Sequence, residues 1–151
     1  MVLLLILACT AAATSLGRIY DEEGIDVSLL LDFERSLVSP SGKYVMECVR
    51  SDTETSRAAK FIVYSNDEVR EEMHEAKRLV YLRFSNFIFW DPNPEVSRIW
   101  VYDGDTGTYF VQEMNGEWMY YSFYEASEFE RYPEEIDYPE LLKSLRPRIF
   151  K

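Results

Sequence analysis

The chain has 151 residues, of which 47% are hydrophobic, 28% charged and 15% aromatic. That much apolar surface excludes a disordered chain, and the length suits a single domain. Lys and Arg number 16 against 27 Asp and Glu, a net charge of -11, which repels phosphate backbones and argues against nucleic-acid binding unless a local basic patch exists.

Val2 to Ala8 form an uninterrupted apolar run, with Ala11-Ala12-Ala13 close behind. The run is shorter than the roughly 20 residues that a bilayer-spanning helix needs. It fits the apolar region of a secretory signal, with small residues suited to cleavage before Thr14. Residues 1–13 are therefore read as a signal, in preference to a buried amino-terminal strand. No Lys or Arg precedes the run, and a start upstream of Met1 would supply one. Ile6-Leu7-Ala8-Cys9 resembles the lipobox of bacterial lipoproteins, with Leu7 in place of the usual small residue. That resemblance makes Cys9 a candidate lipidation site and membrane tether. By either route Cys48 remains the one free thiol, without a partner for an internal disulfide. It lies in an alternating segment with Tyr44 and Met46 and reads as a small buried side chain, not a catalytic nucleophile.

Residues 14–24 are polar and acidic and read as a flexible arm; 25–151 read as one β-rich domain. Val27 to Val38 is apolar-rich and, with a turn and an alternating segment directly after it, reads as a strand. Ser39-Pro40-Ser41-Gly42 is that turn. Lys43 to Arg50 alternates, so the two segments form a hairpin. Ser51 to Arg57 is a polar loop and Ala59 to Tyr64 a strand. The spacing then predicts a helix over 66–79. Ser65 and Glu68 match a capping box, Val69, Met73, Ala76 and Val80 form a stripe, and Lys77 and Arg78 sit at the end the helix dipole favours. Phe84–Trp90, Val96–Tyr102, Thr108–Met114 and Glu117–Tyr124 read as four consecutive antiparallel strands. Asn115-Gly116 is the strongest two-residue hairpin signal among their turns. Pro139 opens a short terminal helix carrying Leu141, Leu142 and Leu145, and Pro147 ends it. The expected fold is α+β, mostly β: an antiparallel meander of about six or seven strands, one packed helix and a short carboxy-terminal helix.

Two turns resemble those of β-propeller blades: Ser39-Pro40-Ser41-Gly42-Lys43-Tyr44, and Val101-Tyr102-Asp103-Gly104-Asp105-Thr106-Gly107. Each occurs once, and a propeller needs at least four blades of about 40 residues. The resemblance therefore implies meander turns and not the propeller fold.

Both faces of the last strands are apolar. A sheet with one wet face would carry polar residues at alternate positions, so something covers the second face. The expected cover is the 66–79 helix on one side and the terminal segments on the other. The competing reading is an open aromatic face that binds a glycan or a partner protein. Its candidate ligand-binding residues are Trp100, Tyr102, Trp118 and Tyr120, with Asp91 and Asp103 at the strand ends. Asp91-x-Asn93-x-Glu95 and Asp103-x-Asp105 space oxygens as hard cations prefer, but the second loop has Thr108 and Met114 where an EF-hand needs Gly and Glu. The two loops lie about 23 Å apart along the intervening strand, too far to share an ion. Both read as ordinary turns, and no metal site or cofactor is expected.

His74 is the single histidine. It falls beside the apolar stripe of the predicted helix and reads as a boundary residue, so neither a Ser/His/Asp triad nor a zinc site can be assembled. No P-loop, G-x-G-x-x-G or G-x-S-x-G motif occurs. The expectation is an exported module, secreted or periplasmic or lipid-anchored to the cell envelope, without enzymatic activity, whose partner is an unknown protein or glycan. The alternatives are an acidic inhibitor or adaptor of a basic protein, and a small glycan-acting hydrolase using a carboxylate pair.

Overall fold

The computed structural model describes Leu16, residues 25–122 and residues 136–150, with the backbone alone of residues 13–14, 19–20 and 130–131. Residues 1–12, which include Cys9 and most of the expected signal, lie outside the described residues, as do Phe123 and Tyr124.

The chain is mostly β. Strands β1 (Ala13–Thr14) and β2 (Ile19–Tyr20) pair in a two-residue antiparallel ladder. The first main sheet comprises β3 (Leu37–Val38), β4 (Tyr44–Arg50), β5 (Ala58–Ser65) and β6 (Glu72–Glu75) in that order, with β7 (Val80–Tyr81) also on β5. The second comprises β8 (Asn86–Trp90), β9 (Arg98–Asp103), β10 (Gly107–Met114) and β11 (Glu117–Ser122), a simple antiparallel meander. A two-residue strand β12 (Glu130–Arg131) adds in parallel to β11. The expected hairpin across Ser39–Gly42 and the four-strand meander are both present. Gly42 takes φ +74 in the longer β3–β4 loop, and Asn115 and Gly116 take φ 54 and 86, the positive values that a two-residue hairpin turn demands.

The period-two pattern places the core. Met46, Phe61 and Val63 from the first sheet meet Ile88, Val101 and Val111 from the second in one buried cluster. The second sheet is apolar on its other face too. There Phe87, Phe89, Trp100 and Phe110 are covered by Leu30, by Leu142 and Leu145 of α1 (Glu140–Leu145), and by Phe150. So both faces of the meander are covered, as its lack of alternation requires. The terminal segments supply one cover as expected. The other cover is a second sheet, where a helix was expected.

The 66–79 helix is the main correction. Its cap residues close a tight turn instead. Asp67 Oδ1 accepts from the N–H groups of Val69 and Arg70 and from Ser65 Oγ, each at 3.0 Å. Arg70 is left-handed at φ 52, which ends any helix there. The chain then returns as β6 along the edge of β5, with Val63 opposite His74. Val69, first of the predicted stripe, is 82% exposed. The unpaired hydrogen-bonding groups along β5 outweigh local helix preference. The nine strands β3 to β11 also exceed the six or seven expected, because β6 and β7 replace the helix.

Val27–Val38 is likewise strand only at its end. Val27–Leu29 is a 3-10 turn capped by Asp26. The chain then crosses to the second sheet, where Leu31 N–H donates to Ile88 O at 2.8 Å. Within the expected arm 14–24, Leu16 is described with its side chain. Leu16 is buried in the inter-sheet core and its N–H donates to Asn86 O at 3.2 Å.

Candidate functional site

The six candidate ligand-binding residues divide between two faces of the meander. Trp100 and Tyr102 point from β9 toward α1. Trp118 and Tyr120 point from β11 toward the other sheet. Trp100 is 0% exposed, and its Nε1 donates to Asp91 Oδ2 at 2.8 Å. Asp91 also pairs with Arg98 at 3.3 Å, Arg98 Nε donates to Gln112 Oε1 at 2.9 Å, and the guanidinium lies 4.7 Å over Phe110. Tyr102 is half-buried under Arg146, whose guanidinium sits 4.9 Å above its ring. The structure thus brings Asp91 to Trp100 and keeps Trp118 and Tyr120 away from both. Trp100 is buried and presents no open stacking face, while Trp118 and Tyr120 both pack on His74, with ring centroids 5.4 and 5.6 Å away.

Asp103 is buried and faces the inter-sheet core. Its Oδ1 accepts from Asp105 N at 2.8 Å and its Oδ2 from Thr106 Oγ1 at 3.1 Å. Burial raises its pKa against those bonds. Asp91 Oδ1 accepts from Asn93 N, and Asn93 Oδ1 from Glu95 N, both at 3.0 Å. Both loops are Asx turns, in which Asp91, Asn93 and Asp103 each commit one oxygen to a backbone N–H group. Among the described residues no three metal-ligating side chains converge.

A polar cluster that sequence reasoning missed lies between the sheets. His74 Nε2 and Tyr120 Oη are 2.9 Å apart, and Lys77 N–H donates to the same hydroxyl at 2.8 Å. The imidazole stacks on Trp118 at 5.4 Å and approaches Phe61 at 6.1 Å. Burial, with Lys77 nearby, pushes its pKa down to about 4, and burial pushes Tyr120 up to about 12. At neutral pH the pair is imidazole and phenol, a satisfied hydrogen bond in an aromatic setting. Assigning His74 to a helix hid this, because only the β5–β6 register sets it opposite β11.

Cys48 is half-buried on β4. Burial, then the charge of Asp32, pushes its thiol up to about 12. Alkylation by iodoacetamide at pH ~8, tracked by peptide mass at Cys48, is expected to run at least about 100-fold slower in the native protein than in urea. Equal rates would show an accessible thiolate.

An apolar recess of about 720 Å³ lies between the 28–40 segment, the end of β8 and α1. Leu37, Phe89 and Trp90 form its base, and Leu29, Val38 and Leu141 its sides. Leu29 and Val38 are 51% and 55% exposed, an exposure unusual for adjoining large apolar side chains. Arg35 holds the wall in shape by donating to Leu30 O at 3.2 Å and to Val27 O. Glu140 stands on the rim.

Compared with known proteins, the chain matches no family model, no curated protein and no solved structure.

Proposed function

We propose that the chain is an exported, non-enzymatic binding module of the cell envelope, and that it takes the apolar anchor of a basic partner protein into the groove beside α1. The groove carries the reading, because its walls are exposed aliphatic side chains around an apolar base. The net charge of -11 favours a cationic partner through long-range steering. The apolar run and Ala-rich segment of residues 2–13 support export. A binding role fits a protein whose His74 and Cys48 are both engaged in packing.

The groove is tested with a synthetic amphipathic peptide of leucine and lysine, titrated by fluorescence. Saturable binding is expected to weaken about tenfold in Val38→Gln, since one anchor contact is worth about 1–2 kcal/mol. Val38 is exposed, so the unfolding midpoint should stay unchanged. Part of the affinity should also survive high salt, because apolar burial is not screened. Equal binding by both proteins, or complete loss in salt, would defeat the groove. Export is tested by the mass of the mature amino terminus. A chain beginning at Thr14, or an acylated Cys9, supports it, and a retained Met1 overturns it.

A further inference from the structure

A second recess, of about 480 Å³, is lined by Arg50, Arg57 and Arg83 over an apolar floor of Leu16, Phe33 and Leu82. Strand register gathers the three arginines. Arg50 ends β4, opposite Ala59. Arg57 precedes β5, and its carbonyl accepts from Leu82 N at 3.0 Å. Arg83 lies just beyond β7, which pairs with the start of β5. Alternation puts Arg50 in the inward row of Met46 and Cys48, and Arg57 in that of Ala59, Phe61 and Val63. Two rows that are apolar through the core thus end in guanidinium groups.

Among the described residues, no acidic side chain lines this cleft. Arg50 Nε lies 3.6 Å from Asp52 Oδ2, and its guanidinium is 5.3 Å over the Phe33 ring. Arg83 stacks 4.7 Å from the Phe84 ring. Among the described residues, Arg57 and Arg83 have no ion pair. In a chain with a large acid surplus, such unpaired cations held side by side repel one another without structural return.

The backbone around them is fixed. Thr53 N donates to Ser56 O at 2.8 Å, Ser56 N to Thr53 Oγ1 at 3.0 Å, and Ala58 N to Asp52 Oδ1 at 2.9 Å. Across the cleft, Asn86 Nδ2 donates to Tyr81 O at 2.9 Å and Phe84 O at 3.1 Å, pinning the turn that carries Arg83. Forked, weakly hydrated guanidinium groups suit multi-oxygen anions. Three arginines against one aspartate leave a surplus of two positive charges, the charge of a phosphate monoester above its second pKa of about 6. The apolar floor adds room for the body that bears it.

We propose that the Arg50–Arg57–Arg83 cleft binds a phosphate monoester carried on an apolar or aromatic body. The site is independent of the groove beside α1. Calorimetry with phenyl phosphate addresses a soluble ligand, and sedimentation with phosphatidylcholine vesicles containing phosphatidic acid addresses a lipid headgroup. Binding in either arm is expected to fall at least tenfold in the exposed double variant Arg57→Gln/Arg83→Gln, and to weaken with salt. The arm that responds identifies the source. Unchanged circular dichroism and thermal midpoint in the variant confirm that folding is intact. Absence of binding in both arms, binding that the variant retains, or equal affinity for benzoate would overturn the proposal.

Discussion

Replacing Trp100 with alanine is expected to lower folding stability by about 3–5 kcal/mol. The indole is wholly buried and packs against Phe110 at 5.2 Å and Tyr138 at 6.2 Å. Its removal opens a cavity between the second sheet and α1. The loss has a polar part too. Asp91 would lose the indole donor and keep Arg98 as its side-chain partner, and a buried acceptor deprived of a bond costs about 1–3 kcal/mol. Trp100→Phe separates the two. It restores most of the volume without the N–H, so about 1–2 kcal/mol should remain. A double-mutant cycle with Asp91→Asn should then show coupling of more than about 0.5 kcal/mol. Urea unfolding measures the natural protein, the three single variants and the Trp100→Phe/Asp91→Asn double variant. A surface stacking residue would cost within about 0.5 kcal/mol in the same experiment, so a small effect would restore Trp100 as a ligand platform.

Legibility in the sequence tracked the reach of each signal. Turns such as Ser39–Gly42 and Asn115-Gly116 are local, and they fixed the hairpin and the meander. The absence of alternation in Trp118–Tyr121 and in Ile99–Tyr102 correctly required cover on both faces. It could not say that the inner cover is a sheet. That depended on residues 66–79, where Ser65, Asp67 and Glu68 offer the same acceptors to a helix start as to a tight turn. The exposure of Val69 and the left-handed Arg70 settle the matter in favour of the turn, and neither has a local sequence mark. Lysine and arginine at the end of an amphipathic stretch look alike in both forms.

The candidate sites were harder still. Trp100 and Trp118 are alike in composition, but the meander turns them to opposite faces, so an aromatic count cannot assemble a site. Asp91 and Trp100 could have been paired in advance, since a tight loop between β8 and β9 returns the chain beside itself. The arginine cleft left no trace, because positions 50, 57 and 83 become neighbours only through pairing with β5. The groove beside α1 depends on Val38 and Leu141, which are 103 positions apart by number and share no pattern.

Acid is expected to weaken the fold through His74. Its folded pKa, about 4, lies below the ordinary 6.5. The unfolded chain therefore takes up a proton as pH falls through 6.5, while the folded protein resists until about 4. A depressed basic group costs nothing above 6.5; the loss accumulates between 6.5 and 4 and then levels off. The half-buried position limits the size to roughly 2 kcal/mol. Other groups titrate in the same window, and Asp103, whose pKa burial raises, acts with the opposite sign. Comparison with His74→Gln removes these shared contributions. Glutamine can still meet Tyr120 Oη without titrating. Urea midpoints between about pH 8 and pH 4 should fall more steeply in the natural protein, so that any advantage it holds at neutral pH narrows by that amount in acid. Parallel curves would mean that the imidazole is charged or solvated in the folded state. The Tyr120–His74 contact would then not hold a neutral ring between the sheets. The variant has a second use. If His74 only fills space and bonds Tyr120, the groove beside α1 and the arginine cleft should bind their probes unchanged in His74→Gln, because neither recess includes this side chain.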